Sequence, residues 1–224
     1  MAGIKQIGTN RKDDQDKWLL KSIDTHLASP QRPARKGVFY PSALGSLCDR
    51  HLYNCYFGLV QEQEIDAVTK RVFDCGDYLG YRYQKYFERM GILVATESPV
   101  KSEMPPISGR LDFLIRHDQL DSTNSKRPVA VIELKSINQR GFKALLKPKD
   151  DHYIQIQLYL NLTGYEYGIV LYENKDDQKI KAFSVAKNEA TWNTIKERCL
   201  KIMNMTEQPK ECTGLRYCPC RREK

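Results

Sequence analysis

The sequence has 224 residues, 41% of them hydrophobic and 29% charged, which is an ordinary mixture for one globular domain with a buried core. Its longest apolar run near the middle, Val129 to Ile132, is far too short to span a bilayer, and no apolar targeting segment follows Met1. We therefore expect a soluble intracellular protein, cytoplasmic if the source is bacterial or phage, whose net charge of +8 permits a polyanionic partner but fits a basic solvated surface equally well.

The first 37 residues are polar and basic, with eight Lys or Arg against four Asp in residues 1–36. They predict a short helix near Trp18 to Ile23, followed by an extended linker. We expect this basic segment, 1–37, to precede a single domain formed by residues 38–224.

Two helices are predicted before the first strand. Ser42 is a suitable N-cap for a helix through Cys48 and Tyr53. Residues 66–90 predict a long helix, for which Gly91 is well placed as the C-cap. The apolar positions of that helix include Val68, Val72, Leu79 and Tyr83.

The predicted secondary structure changes after Gly91 from helices to mostly strands. Strands are predicted at 92–100, 107–116, 128–137, 165–172 and 180–185, and helices at 152–162 and from Asn188 to about Met205. This order predicts an α/β domain with a central mixed β-sheet flanked by helices.

Charged residues interrupt two of the predicted strands. Asp112 lies between apolar neighbours in one of them. In the next strand, the alternation of side chains points Glu133 and Lys135 to the same face. A carboxylate and an ammonium on the interior face of a sheet are costly unless they are paired or bound to a metal, so we expect a functional site here.

The chemistry of divalent metals suits these residues. Mg²⁺ or Mn²⁺ prefers oxygen ligands, which Asp112, Glu133 and the carbonyl of Leu134 supply. Lys135 would then approach the attacking water and the phosphate of a phosphodiester substrate. A structural pair explains Glu133 and Lys135 taken alone, but their combination with Asp112 favours a metal-dependent hydrolase.

A basic stretch follows the third predicted strand and contains Arg140, Lys143, Lys147 and Lys149, opposed only by Asp150. Each neutralised phosphate of a nucleic acid releases condensed counterions, which favours binding. These four residues are therefore candidate DNA contacts.

Taken together, these motifs resemble a known family. Gly109-Arg-Leu-Asp112, Glu133-Leu-Lys135 and Gln155-X-X-X-Tyr159 are similar to the motifs of the RecB-like branch of the PD-(D/E)XK nuclease superfamily, which includes CRISPR-associated RecB-like exonucleases and phage-encoded iron–sulfur exonucleases. The resemblance covers about residues 41–220 and implies a restriction-endonuclease-like core. It also implies that Gln155 and Tyr159, which share one helix face, line the active site and contact the DNA strand.

One position departs from the family pattern. Family members often place a metal-ligating His on the long first helix, after a Gly, whereas this chain has Gly76-Asp-Tyr-Leu-Gly80 there. Asp77 and His152 are candidate replacements. Glu97, on the first strand, also resembles a recurrent family position, without an assigned role.

Seven cysteines in an intracellular chain indicate metal binding or catalysis rather than disulfides. Cys212, Cys218 and Cys220 lie so close in sequence that a soft metal is favoured. We expect three further cysteines, Cys55, Cys75 and Cys199, to be small core residues.

The segment around Cys48 resembles the early cysteine motif of iron–sulfur members of the same branch. The resemblance implies that a [4Fe–4S] cluster is held by Cys48, Cys212, Cys218 and Cys220. Such a cluster would join residues 41–58 and 208–224 into one metal-stapled lobe. Zn²⁺ bound by the same four thiolates is the alternative.

These expectations define a Mg²⁺- or Mn²⁺-dependent deoxyribonuclease, with an exonuclease on single-stranded DNA or DNA ends favoured. A structure-selective endonuclease with the same site is one alternative, and a catalytically lapsed DNA-binding module is another. The intact Asp112, Glu133 and Lys135 favour an enzyme, whereas the missing helix His keeps the lapsed module open.

Overall fold

The computed structural model describes residues 12–28, 35–46, 48–60, 65–116, 129–212, 218 and 220. Their helices are α1 Lys12–Leu27, α2 Pro41–Leu44, α3 Asp49–Phe57, α4 Ala67–Arg89, α5 Gln139–Ala144, α6 Asp150–Thr163 and α7 Glu189–Met203. Their strands are β1 Leu93–Ser102, β2 Ile107–Arg116, β3 Val129–Ile137, β4 Tyr167–Asn174 and β5 Ile180–Ala186. No helix in these ranges has the length and apolar character needed to cross a membrane.

The strands form one five-stranded sheet in the order β1-β2-β3-β4-β5. Strands β3 and β4 are parallel, and every other neighbouring pair is antiparallel. A parallel pair requires a crossover connection, which α5 and α6 provide. The predicted α/β fold with a central mixed sheet flanked by helices is confirmed.

Successive side chains of β3 point to opposite faces of the sheet, so the position of a residue along β3 determines which of two cores its side chain enters. Val131 packs in a core with Ile156 of α6, whereas Ile132 packs in a second core with Phe87 of α4. Glu133 and Lys135 have the parity of Val131 and therefore belong to the face that α6 covers. The sheet thus separates the candidate site from the layer formed by the second half of α4.

The chain divides into two compact units, one formed by 1–33 with 62–77 and the other by 34–61 with 78–224. In the first, α1 is joined to the start of α4 by an ion pair between Arg71 Nη1 and Asp24 Oδ1, 2.7 Å apart. The second holds the whole sheet and all candidate site residues except Asp77.

The segment before α4 differs from its sequence prediction. Two helices, α2 and α3, replace the single helix expected through Cys48 and Tyr53. Pro41 rather than Ser42 begins the first helix, with Tyr40 as its N-cap, because the fixed φ of proline suits a first helical position. The backbone is extended at Cys48, whose Sγ accepts the His51 N–H at 3.3 Å and so caps α3.

The short helix α5 has no counterpart among the sequence predictions. Asn138 caps it, with Oδ1 accepting the Gly141 N–H at 2.8 Å. The predicted long helix is confirmed as α4, and Gly91 after it has a φ of +69°. Its Val68 and Val72 are nevertheless exposed, so the predicted apolar face is buried only in part.

The cysteines expected in the core have different environments. Cys199 is fully buried beside Ile195 and Ile202, as predicted. Cys55 is partly buried and lies 3.7 Å from His51 Nε2. Cys75 is exposed on α4, so its prediction as a core residue is wrong.

Candidate active site and cysteine cluster

The candidate site lies where β2 and β3 part. The two described strands pair from Arg116 with Val129 as far as Phe113 with Ile132, and their pairing ends there. Beyond that point, Asp112 Oδ2 accepts the backbone N–H of Leu134 at 2.7 Å. A side-chain carboxylate thus bonds the backbone of the neighbouring strand beside the site.

Glu133 is the most buried charged residue of this site, with 0% of its surface exposed. The ammonium of Lys135 lies 2.5 Å from its Oε1. Apart from this ion pair, neither carboxylate oxygen accepts a hydrogen bond from any residue that the structure describes. Buried carboxylate oxygens without donors are costly, and this unused acceptor capacity is what a hard divalent cation requires.

The three charged groups share one electrostatic environment. Burial, with the nearby Asp112 carboxylate adding to it, raises the pKa of Glu133 to about 8. Burial also raises the pKa of Asp112, against the opposing hydrogen bond from Leu134 and the charge of Lys135. Burial alone would lower the pKa of Lys135, but the charges of Glu133 and Asp112 hold it above its ordinary value.

Gln155 and Tyr159 lie on α6, on the same side of the sheet as these groups. The Tyr159 hydroxyl donates to the carbonyl oxygen of Arg110 at 2.7 Å and accepts from Gln155 Nε2 at 3.2 Å. Both residues are buried. Burial, then the charge of Glu133, raises the pKa of Tyr159. These bonds hold β2 in place two residues before Asp112, while the expected contact with DNA stays a prediction.

The glycine of the Gly109-Arg-Leu-Asp112 motif has a steric explanation. A Cβ at this position would lie 2.6 Å from Cγ of Pro41 and 3.5 Å from the ring of Tyr159. A larger residue would clash with Pro41, whereas its contact with Tyr159 would be an ordinary one, so the motif glycine allows β2 to pack closely against α2.

Glu97 on β1 has a left-handed backbone, with a φ of +47°, which is unusual for a residue other than glycine inside a strand. Its carboxylate pairs with Arg110 Nε at 3.2 Å. Its charge also helps to raise the pKa of both Asp112 and Glu133, which places it near the site. The family resemblance was the only sequence signal for it.

The two candidate replacements for the helix His differ. Asp77 is exposed and belongs to the first compact unit. His152 lies in the first turn of α6, with Nδ1 2.7 Å from the hydroxyl of Tyr172, the residue paired with Lys135 across β3 and β4. The sequence did not identify Tyr172, because a tyrosine in a buried strand carries no distinguishing motif.

The candidate DNA contacts lie on α5 and on the loop that leads to α6. The side chains of Arg140, Lys143, Lys147 and Lys149 are all exposed. Lys147 pairs with Asp150 at 2.9 Å, and this is an exposed pair that contributes little to stability.

Four thiols converge at a second site. The sulfur atoms of Cys48, Cys212, Cys218 and Cys220 all lie within 4.8 Å of one another. The Cys48–Cys212 separation is 3.0 Å and the Cys218–Cys220 separation is 3.2 Å. The four cysteines predicted as ligands are therefore the four that the fold brings together, and burial raises the pKa of Cys48 to about 11.

Polar contacts from other parts of the fold position these thiols. Arg198 of α7 donates to the Ser46 carbonyl at 2.6 Å and to Asp49 Oδ1 at 2.8 Å, on either side of Cys48. Arg50 of α3 donates to the Pro209 carbonyl at 2.8 Å, which ties the segment before Cys212 to α3. No sequence pattern identified these arginines, since their partners are 149 to 159 positions away.

No protein-family model and no curated protein matches the sequence. Among solved structures, the chain is similar to the crystal structure of SSO0001, with 20% identity, a TM-score of 0.53 and 90% of each chain covered. It is also similar to the alkaline exonuclease LHK-Exo from Laribacter hongkongensis, with 17% identity, a TM-score of 0.54, and 76% of this chain and 88% of that chain covered. The complex of LHK-Exo with dAMP gives 16% identity and a TM-score of 0.55 over the same shares. At these identities, the similarities show a shared α/β fold.

Proposed function

We propose that this protein is a metal-dependent deoxyribonuclease that hydrolyses phosphodiester bonds, acting as an exonuclease on single-stranded DNA or DNA ends. The observation that carries the proposal is the fully buried Glu133 beside Asp112, since its oxygens have no partner in the described chain other than the ammonium of Lys135. The similarity in fold to an alkaline exonuclease, one structure of which holds dAMP, supports it.

Asp112 and Glu133 would hold Mg²⁺ or Mn²⁺, with the Leu134 carbonyl as a further ligand. Such a cation lowers the pKa of an attacking water and offsets the charge that develops on the phosphate. The donor set is made of hard oxygen atoms only, which suits these two metals better than a softer ion.

Lys135 would act on the substrate directly. Its side chain is 26% exposed although the carboxylate beside it is fully buried, so its ammonium can reach a bound phosphate. The neighbouring carboxylates keep it charged. A fixed ammonium donates hydrogen bonds to a phosphate oxygen and to the attacking water, and stabilises the charge of the transition state.

Gln155 and Tyr159 would shape the wall of this site and contact the DNA strand. Their mutual hydrogen bond and the bond from Tyr159 to the β2 backbone fix both side chains. Held in this way, Tyr159 would help to position β2 two residues before Asp112. The four exposed basic residues from Arg140 to Lys149 would bind the phosphate backbone outside the site.

The four clustered cysteines would bind a metal centre that joins residues 41–58 to residues 208–224. The family resemblance favours a [4Fe–4S] cluster. The spacing of the sulfurs favours the second candidate, zinc, because four thiolates at about 2.3 Å from one ion lie about 3.8 Å apart. That separation falls within the observed limit of 4.8 Å. Zinc would require the two closest pairs, at 3.0 and 3.2 Å, to open slightly, whereas a four-iron cluster would require all four thiolates to move farther apart.

A single set of digests tests the proposed activity. The purified protein is incubated with Mg²⁺ or Mn²⁺ and either end-labelled linear or circular single-stranded DNA, with EDTA as the control. We expect label to be released from the ends while circles stay intact. Cutting of circles would instead establish an endonuclease. Binding without cleavage in either metal would establish a lapsed module and refute the proposal.

A further inference from the structure

Leu146 is the most exposed large hydrophobic residue in the part of the chain that the structure describes, with 90% of its surface open to solvent. It lies in the loop between α5 and α6. A single exposed leucine needs no explanation by itself. Leu146 is different because the loop that carries it is anchored on both sides and is basic.

The loop is held firmly on the α5 side of Leu146. Leu145, its neighbour, is buried, as is Phe142 one turn earlier. The ammonium of Lys181 donates to the carbonyl oxygens of Phe142 at 2.8 Å and of Leu145 at 2.9 Å. These bonds fix the backbone immediately before Leu146, so the side chain is exposed on an ordered support.

The other side of the loop is attached to the strand beside the active site. The backbone N–H of Lys149 donates to the hydroxyl of Tyr172 at 3.0 Å. Tyr172 is fully buried and pairs with Lys135 across β3 and β4. The charge of Asp151, at the start of α6, also acts on Lys135. Leu146 is therefore carried by a loop that is anchored next to the catalytic lysine.

Cations flank the exposed leucine on both sides. Lys143 precedes it, and Lys147 and Lys149 follow it, all with exposed side chains. Asp150 pairs with Lys147 and is the nearest opposing charge in sequence. An apolar side chain projecting between cations matches a substrate in which apolar base faces lie between phosphates.

We propose that Leu146 is a wedge that inserts beside the terminal base pair of bound DNA and separates it, so that one strand can enter the active site. This inference rests on the proposed deoxyribonuclease activity and deepens it, since it assigns a residue that selects DNA ends. The flanking lysines bind the phosphates on either side of the opened base, and the leucine side chain contacts the exposed base face. An aliphatic side chain reads no hydrogen-bonding edge, so the wedge is indifferent to sequence.

The wedge is needed only where bases are still paired, and this gives a specific test. Cleavage rates are measured on a blunt duplex and on the same duplex with a few unpaired nucleotides at its end. The proteins compared are the wild type, Leu146→Ser and Leu146→Met. We expect Leu146→Ser to cut the blunt duplex roughly tenfold more slowly and the frayed duplex at the wild-type rate, because an apolar wedge offsets the cost of unstacking a base step and only the blunt end has a paired base to unstack. Leu146→Met should restore cutting of the blunt duplex. Leu59→Ser, at another exposed leucine, is the matched control and should cut both as the wild type does.

A binding measurement separates the wedge from the catalytic proposal. A blunt duplex carrying 2-aminopurine as its terminal base is titrated with protein in Ca²⁺, and the fluorescence of the unstacked base is recorded. We expect the wild type and Leu59→Ser to raise the fluorescence, and Leu146→Ser to leave it at the value of free DNA. Equal loss of cutting on blunt and frayed duplexes, or an undiminished signal with Leu146→Ser, would overturn the wedge. If the wild type cuts no DNA, the proposed function fails, and the fluorescence alone decides on the wedge.

Discussion

Asp112 Oδ2 lies 2.7 Å from the backbone nitrogen of Leu134, so the side chain of one strand bonds the backbone of the next. This bond engages one of the two carboxylate oxygens, Oδ2. It also fixes the position of Leu134 between Glu133 and Lys135. The proposed metal ligands are thereby ordered by the sheet before any cation binds, which lowers the reorganisation that binding requires.

Removal of any of the three charged groups should abolish cleavage. We expect Asp112→Ala, Glu133→Ala and Lys135→Ala each to lower the cleavage rate by roughly 100- to 1,000-fold or more, because each removes a charge that stabilises the transition state. DNA binding, measured by fluorescence anisotropy, should be largely retained. The rates are measured with end-labelled DNA and Mg²⁺.

The ion pair between the partly buried Lys187 and the exposed Glu166 provides the matched control for these variants. Its Nζ–Oε1 distance is 2.5 Å, the same as for Lys135 and Glu133. Lys187→Ala should therefore cleave as the wild type does. Near wild-type turnover in any two of the three active-site variants would refute the assignment.

The carboxylate–lysine site could be predicted from the sequence because its signal is local. A charged residue in an apolar strand is visible without the fold, and alternation places Glu133 and Lys135 on one face. The contacts that position the site could not be predicted, since the bond from Tyr159 to the Arg110 carbonyl spans 49 positions and follows no periodic pattern. The five strands and the helices α6 and α7 were predicted for the same local reason, whereas α5 was missed and the break at Cys48 depends on a cap that a sulfur atom supplies.

Charge reversal in the basic loop should weaken DNA binding regardless of sequence. We expect Lys143→Glu combined with Lys147→Glu to raise Kd on all DNA sequences alike and to lower the slope of log K against log salt by about one for each phosphate that the variant no longer neutralises. Anisotropy titrations at several salt concentrations measure both. Lys196→Glu, an exposed position on α7, is the control. A change in sequence preference with an unchanged slope would contradict the phosphate-binding role.

Replacement of one clustered cysteine should remove the proposed metal centre. We expect Cys48→Ser and Cys218→Ser each to lose metal and to lower the melting temperature, because a metal that binds only the folded chain contributes to the free energy of unfolding. Protein purified without oxygen is examined by absorption spectroscopy and elemental analysis. Brown protein with about four irons per chain indicates the [4Fe–4S] cluster, and colourless protein with one zinc indicates the alternative.

Cys75→Ser is the control for the cysteine variants, because Cys75 is exposed and lies outside the cluster of four. It should keep the full metal content. Full metal content in Cys48→Ser would exclude both kinds of centre.

His152 should make the stability of the protein depend on pH. Burial lowers its pKa from 6.5 to about 4, with Lys135 and Lys149 acting in the same direction and Asp151 opposing them. The ring also contacts the Tyr172 hydroxyl, whose own pKa is raised to about 12 by burial. Between pH 6.5 and about pH 4 the unfolded chain binds a proton that the folded chain does not, so stability falls as the pH drops through this range.

Replacement of His152 by Gln removes this titration. From pH 7 to pH 5, we expect the wild type to lose about 1 kcal/mol more free energy of unfolding than His152→Gln, after allowance for partial exposure of the ring. Urea unfolding at the two pH values measures the difference. An equal loss in both proteins would show that His152 is not the group responsible.

Gly45 should tolerate no side chain. An added Cβ would lie 2.6 Å from Cα and 2.7 Å from the carbonyl oxygen of Asp151, and these backbone atoms of α6 cannot move aside cheaply. We expect Gly45→Ala to lower the free energy of unfolding by about 1–3 kcal/mol. In contrast, a Cβ at Gly80 of α4 meets no described atom within 4 Å, so Gly80→Ala should raise it by roughly 0.5–1 kcal/mol. Urea denaturation of both variants tests this, and equal effects would refute it.

The order of the four clustered cysteines along the chain has a consequence for biosynthesis. Cys48 emerges early from the ribosome, whereas the other three ligands, from Cys212 to Cys220, emerge only after every strand of the sheet has been made. The sheet and its flanking helices can therefore fold while Cys48 is the only one of the four clustered cysteines that has been synthesised. Insertion of the proposed metal would thus be a late step of maturation, and a chain whose translation stops before residue 212 would contain β2 and β3 but only one of the four clustered cysteines.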